Sequence, residues 1–129
     1  MPYILLVEDN QQSADMAIHI LTSAGYEVRH FLKGVEGAKM ARSERPSLIL
    51  LDFNLPDIDG RALTLSLKQQ LGGADSPPII AVTARSGSSE EAIAKRFGCS
   101  AFVSKPYTPE TLLAVIESYW DAGNKPDGE

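Results

Sequence analysis

The aliphatic residues 48–51 (Leu-Ile-Leu-Leu) run directly into Asp52. An apolar run without alternation is typical of a strand buried on both faces, as the central strands of parallel sheets are. Pro56 and then the pair Asp59 and Gly60 turn the chain after this strand. Ligands of open α/β sheets bind at the carboxyl ends of the strands, so Asp52 is the first candidate for a reactive carboxylate.

The same reasoning predicts five strand–helix units along the chain. Apolar or alternating runs predict strands over residues 3–7, 26–31, 48–52, 79–82 and 101–104. Helical spacing and capping residues predict helices over 10–24, 35–43, 61–71, about 88–97 and 109–120, with a loop over 72–78. This alternation predicts an α/β fold: a doubly wound parallel sheet of five strands with five helices on its two faces.

The last predicted helix carries an apolar face and two large residues beside it. The face is predicted to meet the core through Leu112, Val115, Ile116 and Tyr119. Leu113 and Trp120 either pack at the edge of the core or form a partner or dimer surface, and we favour edge packing. The chain after Trp120 is polar, so we expect a domain over residues 1–121 and a disordered tail over 122–129.

Composition excludes several classes of protein. The formal net charge is −5, so a basic nucleic-acid-binding surface is not predicted and we expect no direct nucleic-acid partner. No apolar run approaches the roughly 18 residues of a membrane span, and no basic segment precedes the first strand, which predicts neither a membrane association nor a signal peptide. The lone Cys99 is predicted to be a small core residue and fits a reducing compartment, so we expect a cytoplasmic protein.

Polar side chains follow four of the predicted strands. Glu8 and Asp9 follow the first, Asp52 ends the third, Thr83 follows the fourth and Lys105 follows the fifth. In a parallel sheet these strand ends share one edge, so three carboxylates, a hydroxyl and an ammonium should converge there. Neighbouring carboxylates repel unless they share a cation, and hard oxygen ligands favour Mg²⁺. The lysine and hydroxyl would complete a phosphoryl site, in which a carboxylate can become an aspartyl phosphate.

With these residues, the chain resembles the receiver domains of two-component response regulators, including single-domain chemotaxis regulators. The resemblance covers residues 3–120 and implies a flavodoxin-like (βα)5 fold. It rests on a set of residues that follow one another in the family's order: Glu8, Asp9, Asp52, Asn54, Pro56, Gly60, Thr83, Ala84, Phe102, Lys105 and Pro106.

The resemblance implies a role for each part of the site. Asp52 would accept a phosphoryl group from a sensor histidine kinase or a histidine phosphotransfer protein. Asp9 and Asp52 would bind Mg²⁺ directly, Glu8 through water and Asn54 through its backbone carbonyl. Beyond self-phosphorylation and autodephosphorylation, no enzymatic activity is expected.

The resemblance also implies how a signal leaves the site. Thr83 would bond the phosphoryl group, Phe102 would be the aromatic switch, and Lys105 would pair with the carboxylate or phosphoryl group next to a cis bond to Pro106. The fourth helix, fifth strand and fifth helix, about residues 88–120, would contact a downstream protein target or form a homodimer. We also hypothesise that Arg85, two residues beyond the threonine, shields the phosphoryl group.

Two alternative functions remain open from the sequence. A receiver-like binding module would work without phosphorylation. An aspartate-nucleophile phosphohydrolase would need a second acid two residues after the nucleophile, where Asn54 stands. A calcium loop starting at Asp52 fails because Pro56 occupies a ligand position and Leu63 replaces the terminal glutamate.

Several other polar residues are predicted to be structural or inactive. Asp57 and Asp59 are interpreted as turn and capping residues rather than ligands. His19 and His30 are predicted to be exposed and not catalytic, and no phosphodonor histidine is predicted.

Overall fold

The structure is a computed structural model that describes residues 2–84 and 88–120. The predictions for Arg85 and for the tail over residues 122–129 therefore lie outside the described residues. Strands and helices alternate in the order β1 (Ile4–Val7), α1 (Gln11–Ser23), β2 (Val28–Phe31), α2 (Gly34–Ser43), β3 (Leu48–Asp52), α3 (Gly60–Gln70), β4 (Ile79–Thr83), α4 (Ser88–Arg96), β5 (Ala101–Ser104) and α5 (Pro109–Tyr119). The predicted loop over 72–78 contains one short 3₁₀ helix, Gly73–Asp75.

All five strands form one parallel sheet in the order β2-β1-β3-β4-β5. The aliphatic run that ends at Asp52 is the central strand, as predicted, and every residue of β3 is buried. Strand β2 lies on one side of β1, and β3 lies on the other side of β1. The direction in which strands are added to the sheet therefore reverses between β1 and β3. In folds of this kind, ligands bind outside the carboxyl ends of the strands at this reversal.

The side chains of alternate residues in the central strands pack in two separate apolar layers, one on each face of the sheet. This confirms the predicted doubly wound arrangement. On one face, Leu48 and Leu50 pack in a cluster with residues of α1 and α5. On the other face, Ile49 and Leu51 pack in a cluster with residues of α2, α3 and α4. Cys99 is buried in the second cluster, as predicted, and burial raises the pKa of its thiol to about 11. Of the helices in the described part of the chain, none has the length and apolarity to cross a membrane.

The end of α5 departs from the predicted pattern. Tyr119, predicted to face the core, is 40% exposed, and its hydroxyl donates to the Ser100 carbonyl at 3.0 Å. Trp120 is buried instead and meets Tyr26 edge to face, with ring centroids 4.9 Å apart. The helix ends at Tyr119 and Trp120 has an extended backbone, so helical periodicity no longer dictates where the indole points. Trp120 therefore packs at the edge of the core, as we favoured.

Candidate functional site

Strand order places the acidic residues next to each other. Glu8 and Asp9 follow β1 directly, and Asp52 is the last residue of β3. Strands β1 and β3 are paired with Val7 opposite Leu51, so Glu8 comes level with Asp52 at the same edge. The predicted convergence of strand ends therefore occurs at the reversal of strand order, where an α/β sheet leaves a crevice.

Three carboxylates meet in this crevice. One oxygen from each of Glu8, Asp9 and Asp52 lies within 4.8 Å of the other two. Glu8 and Asp52 are buried, whereas Asp9 is exposed. Buried carboxylates this close favour a shared cation, and an all-oxygen set with one side open to water matches what Mg²⁺ requires. The donor set therefore fits the magnesium ion that the sequence predicts.

Lys105 supplies a positive charge from the opposite side of the crevice. Its Nζ donates to Glu8 Oε1 at 2.5 Å and lies 3.4 Å from Asp52 Oδ2. The backbone N–H of Lys105 donates to the Thr83 carbonyl at 2.8 Å, and the peptide bond to Pro106 is cis. In this structure the lysine thus bridges two carboxylates, with the shorter contact to Glu8.

The buried charges shift the titration of their neighbours. Burial raises the pKa of the Glu8 carboxyl to about 6, although the hydrogen bond from Lys105 opposes this shift. Burial also pulls down the pKa of Lys105, but its hydrogen bond to Glu8 and the charge of Asp52 outweigh burial and leave that pKa raised. The lysine is therefore a permanent cation at neutral pH.

Asn54 connects the Asp52 carboxylate to Thr83. Thr83 is buried at the end of β4, the strand that pairs with β3. The Asn54 N–H donates to Asp52 Oδ1 at 2.9 Å, and the Asn54 side-chain amide donates to Thr83 Oγ1 at 3.4 Å. These contacts hold one oxygen of Asp52 and the threonine hydroxyl in place. Metal binding through the Asn54 carbonyl stays a prediction.

Phe102 lies one strand further along the sheet. It is half-buried on β5, packs against the second apolar cluster and pairs with Ala81 of β4. Its predicted role as a switch stays a prediction.

The two aspartates interpreted as structural do form caps. Asp57 accepts hydrogen bonds from the N–H groups of Gly34 and Val35 at 2.9 and 3.0 Å, which caps α2 from a distant loop. These bonds hold the pKa of Asp57 below its usual value. Asp59 accepts from the Arg61 N–H at 2.8 Å and caps α3. Neither belongs to the group of carboxylates around Asp52.

Two contacts to Glu8 were missed from the sequence. The Asn10 N–H donates to Glu8 Oε2 at 3.1 Å, while the Asn10 side chain caps α1. His30, predicted to be exposed, is half-buried on β2, and its Nε2 lies 2.8 Å from the Glu8 carbonyl oxygen. The prediction for His30 was wrong because β2 pairs with β1, which turns this ring toward the site. Only the strand order could have indicated this neighbour.

Comparison with known proteins places the chain in a family. The sequence pattern of the response regulator receiver domain matches residues 4–117. The polar-differentiation response regulator DivK of Brucella anthropi is 34% identical over 116 residues, which cover 90% of this chain and 94% of that protein. The chain therefore belongs to the response regulator receiver family.

Two solved structures agree with this assignment. The chemotaxis response regulator CheY4 of Vibrio cholerae superimposes with a TM-score of 0.85 at 28% identity, covering 92% of this chain and 98% of that chain. The receiver domain of a sensor histidine kinase from Pseudomonas aeruginosa gives a TM-score of 0.82 at 30% identity, covering 92% and 96%. That receiver was crystallised with a magnesium ion coordinated in its active-site cleft.

Proposed function

We propose that this receiver accepts a phosphoryl group on Asp52 from a sensor histidine kinase or a histidine phosphotransfer protein, in a reaction that requires Mg²⁺. One observation carries the proposal: the Asp52 carboxylate lies within 4.8 Å of two other carboxylates and 3.4 Å from the ammonium of Lys105, and Asn54 donates both to Asp52 and to the hydroxyl of Thr83. A structural carboxylate needs one partner, whereas this set provides a cation site, a positive charge and a hydrogen-bond donor around one nucleophile.

The proposed metal ligands are the oxygens of this edge. The carboxylates of Asp9 and Asp52 would hold Mg²⁺ directly, with Glu8 contributing through water and Asn54 through its backbone carbonyl. Bound Mg²⁺ neutralises the acidic group and the oxygens of an incoming phosphoryl group. The exposed position of Asp9 leaves the open side that a partly hydrated ion needs.

The proposed chemistry is a direct transfer between two nucleophiles. A carboxylate oxygen of Asp52 forms a bond to the phosphorus of a donor phosphohistidine. The P–N bond breaks, and its electron pair returns to the imidazole nitrogen of the donor. Lys105 pairs with the transferred oxygens, and the Thr83 hydroxyl donates a hydrogen bond to one of them. Apart from this self-phosphorylation and the hydrolysis of the aspartyl phosphate, which transfers the phosphoryl group to water and regenerates the Asp52 carboxylate, the domain has no enzymatic role.

The added charge is the proposed signal. A phosphoryl group brings a charge of about −1.5 to −2 and three acceptor oxygens to the end of β3. Thr83 moves toward it, Phe102 turns inward, and the surface of α4, β5 and α5 changes its affinity for a downstream protein or a second copy of the chain. We assign the receiver domain to residues 1–121 and the protein to the cytoplasm.

Intact-mass spectrometry after incubation with acetyl phosphate and MgCl₂ tests the proposal. We expect one phosphoryl adduct that is absent without Mg²⁺ and absent in Asp52→Asn. Asp57→Asn is the matched control, because it changes a nearby aspartate that caps a helix, and it should keep the adduct.

Absence of an adduct on the wild-type chain would favour the binding module that works without phosphorylation. Continuous turnover of a small phosphoester, with no stable adduct, would favour the phosphohydrolase.

A further inference from the structure

The backbone of Glu8 is tied to strand β2 on both sides of the residue. The Glu8 N–H donates to the Phe31 carbonyl at 3.1 Å, which extends the pairing of β1 with β2 by one bond. The Glu8 carbonyl takes its bond from the His30 ring, with Nε2 at 2.8 Å. Strand β2 ends at Phe31, and the hydrogen bond from the His30 ring therefore lies at the end of the backbone hydrogen bonds between β1 and β2.

The chemistry of this contact fixes the proton on the ring. A backbone carbonyl oxygen can only accept a hydrogen bond, so Nε2 of His30 must carry the hydrogen. The imidazole is thus the Nε2–H tautomer whenever it is neutral, and it acts as a donor aimed at one oxygen. Phenylalanine, which has a ring of similar size, carries no hydrogen-bond donor.

The Glu8 carbonyl belongs to the peptide group from which Asp9 projects. Glu8 and Asp52 are held by contacts to their own carboxylates, from Lys105 and from backbone N–H groups. Within residues 2–84 and 88–120, the Asp9 carboxylate has no hydrogen-bond or ion-pair partner. Its direction toward the other two carboxylates is therefore set by the backbone, and the His30 bond fixes the plane of that backbone.

We propose that His30 is a positioning residue for the metal site: its Nε2–H holds the Glu8–Asp9 peptide so that the exposed Asp9 carboxylate faces Asp52. This inference rests on the proposed function, since it assumes that these carboxylates bind Mg²⁺. Groups that orient metal ligands without touching the metal contribute about 10- to 100-fold to metal affinity. Because His30 acts on the backbone of a ligand, the low end of that range applies.

Calorimetric titration of the metal-free chain with MgCl₂ tests the inference. His30→Phe keeps a ring of similar size and removes the donor, so its dissociation constant for Mg²⁺ should rise about 10-fold. His30→Gln restores a side-chain N–H donor and should stay within about 3-fold of the wild type. His19→Phe is the matched control, because it replaces an exposed histidine on α1, and its affinity should be unchanged.

A purely structural role would give a different pattern. Unfolding in urea without Mg²⁺ should show that His30→Phe remains folded under the titration conditions. If the folded variant binds Mg²⁺ as tightly as the wild type, the positioning role is wrong. If the wild type itself binds no Mg²⁺, the proposed function fails together with this inference. Equal binding by the wild type and His30→Phe would contradict the positioning role alone, so the two failures are distinguishable.

The tautomer of His30 can be measured in the wild type, without any substitution. Long-range ¹H–¹⁵N correlation spectra recorded over a series of pH values should show the hydrogen of the neutral His30 ring on Nε2. An Nδ1–H tautomer would overturn the inference even if the variants proved too unstable to titrate.

Discussion

Two groups of charged residues at opposite ends of the sheet share one arrangement, a cation bridging two carboxylates. In the site cluster, formed by Glu8, Asp52 and Lys105, the ammonium lies 2.5 and 3.4 Å from the two carboxylates. In the rim cluster, formed by Glu27, Arg29 and Glu44, the guanidinium lies 3.2 and 2.9 Å from its partners. Distances alone do not tell the two clusters apart.

The two clusters differ in how far their carboxylates are buried. The side chains of Glu8 and Asp52 are 5% and 6% exposed, whereas those of Glu27 and Glu44 are 43% and 59% exposed. Water screens the rim charges, so their pairing contributes little to stability. The site charges have lost water and depend on one another, which makes each of them costly to remove and sensitive to an added charge. The comparison teaches that a charge cluster becomes sensitive to an added or removed charge when it is shielded from solvent. The number of ion pairs does not decide this.

The largest expected effect comes from removing the buried cation. Lys105→Met leaves two buried carboxylates facing each other, and we expect the free energy of unfolding to fall by about 3 kcal/mol at a pH of about 8. This is the low end for breaking a buried ion pair, because the lysine side chain is 21% exposed. Urea unfolding without Mg²⁺ measures the change.

Lys95→Met is the control for this substitution, because Lys95 forms an exposed pair with Glu91 one helical turn away. It should change the free energy of unfolding by less than about 0.5 kcal/mol. Equal effects of the two substitutions would show that the site cluster is as well solvated as the surface.

A smaller effect is expected in the pH dependence of stability. Burial raises the pKa of Glu8 from 4.5 to about 6, so the folded chain keeps this proton after the unfolded chain has lost it. Glu8 therefore stabilises the fold fully below a pH of 4.5, and this contribution is lost as the pH rises through about 6. The loss amounts to about 2 kcal/mol and should disappear in Glu8→Gln.

Urea unfolding without Mg²⁺ over this pH range measures the difference between the two proteins. Asp57→Asn provides the contrast: hydrogen bonds from the Val35 and Gly34 N–H groups lower the pKa of Asp57, so its stabilisation is lost only as the pH falls below 3.8. Parallel profiles for wild type and Glu8→Gln between a pH of 4.5 and about 6 would contradict the buried character of Glu8.

The smallest effect is expected at the rim cluster. Arg29→Met removes both exposed ion pairs and the guanidinium that lies 4.3 Å from the centre of the Tyr3 ring. We expect a loss of stability well below that of Lys105→Met, and a loss that shrinks further with added salt, since exposed charges are screened. Phosphorylation by acetyl phosphate should be unchanged. A defect in phosphorylation would mean that the two ends of the sheet are coupled.

The sequence by itself predicted the five strand–helix units and the polar residues at the strand ends. These features depend on local periodicity and on breaks in it, as in the run that ends at Asp52. The helix caps at Asp57 and Asp59 were also predicted as capping residues, although the sequence did not show that Asp57 caps α2 rather than its own helix.

Only the tertiary structure decided which of these residues touch. Lys105 and Glu8 lie 97 positions apart in the chain, and their contact exists because the strand order brings the ends of β1 and β5 to one edge of the sheet. The same order turns His30 toward the Glu8 carbonyl, although the sequence predicted a half-exposed strand with this side chain exposed. Periodicity records which face of an element is buried, but the partner of a side chain depends on how separate elements are arranged in space.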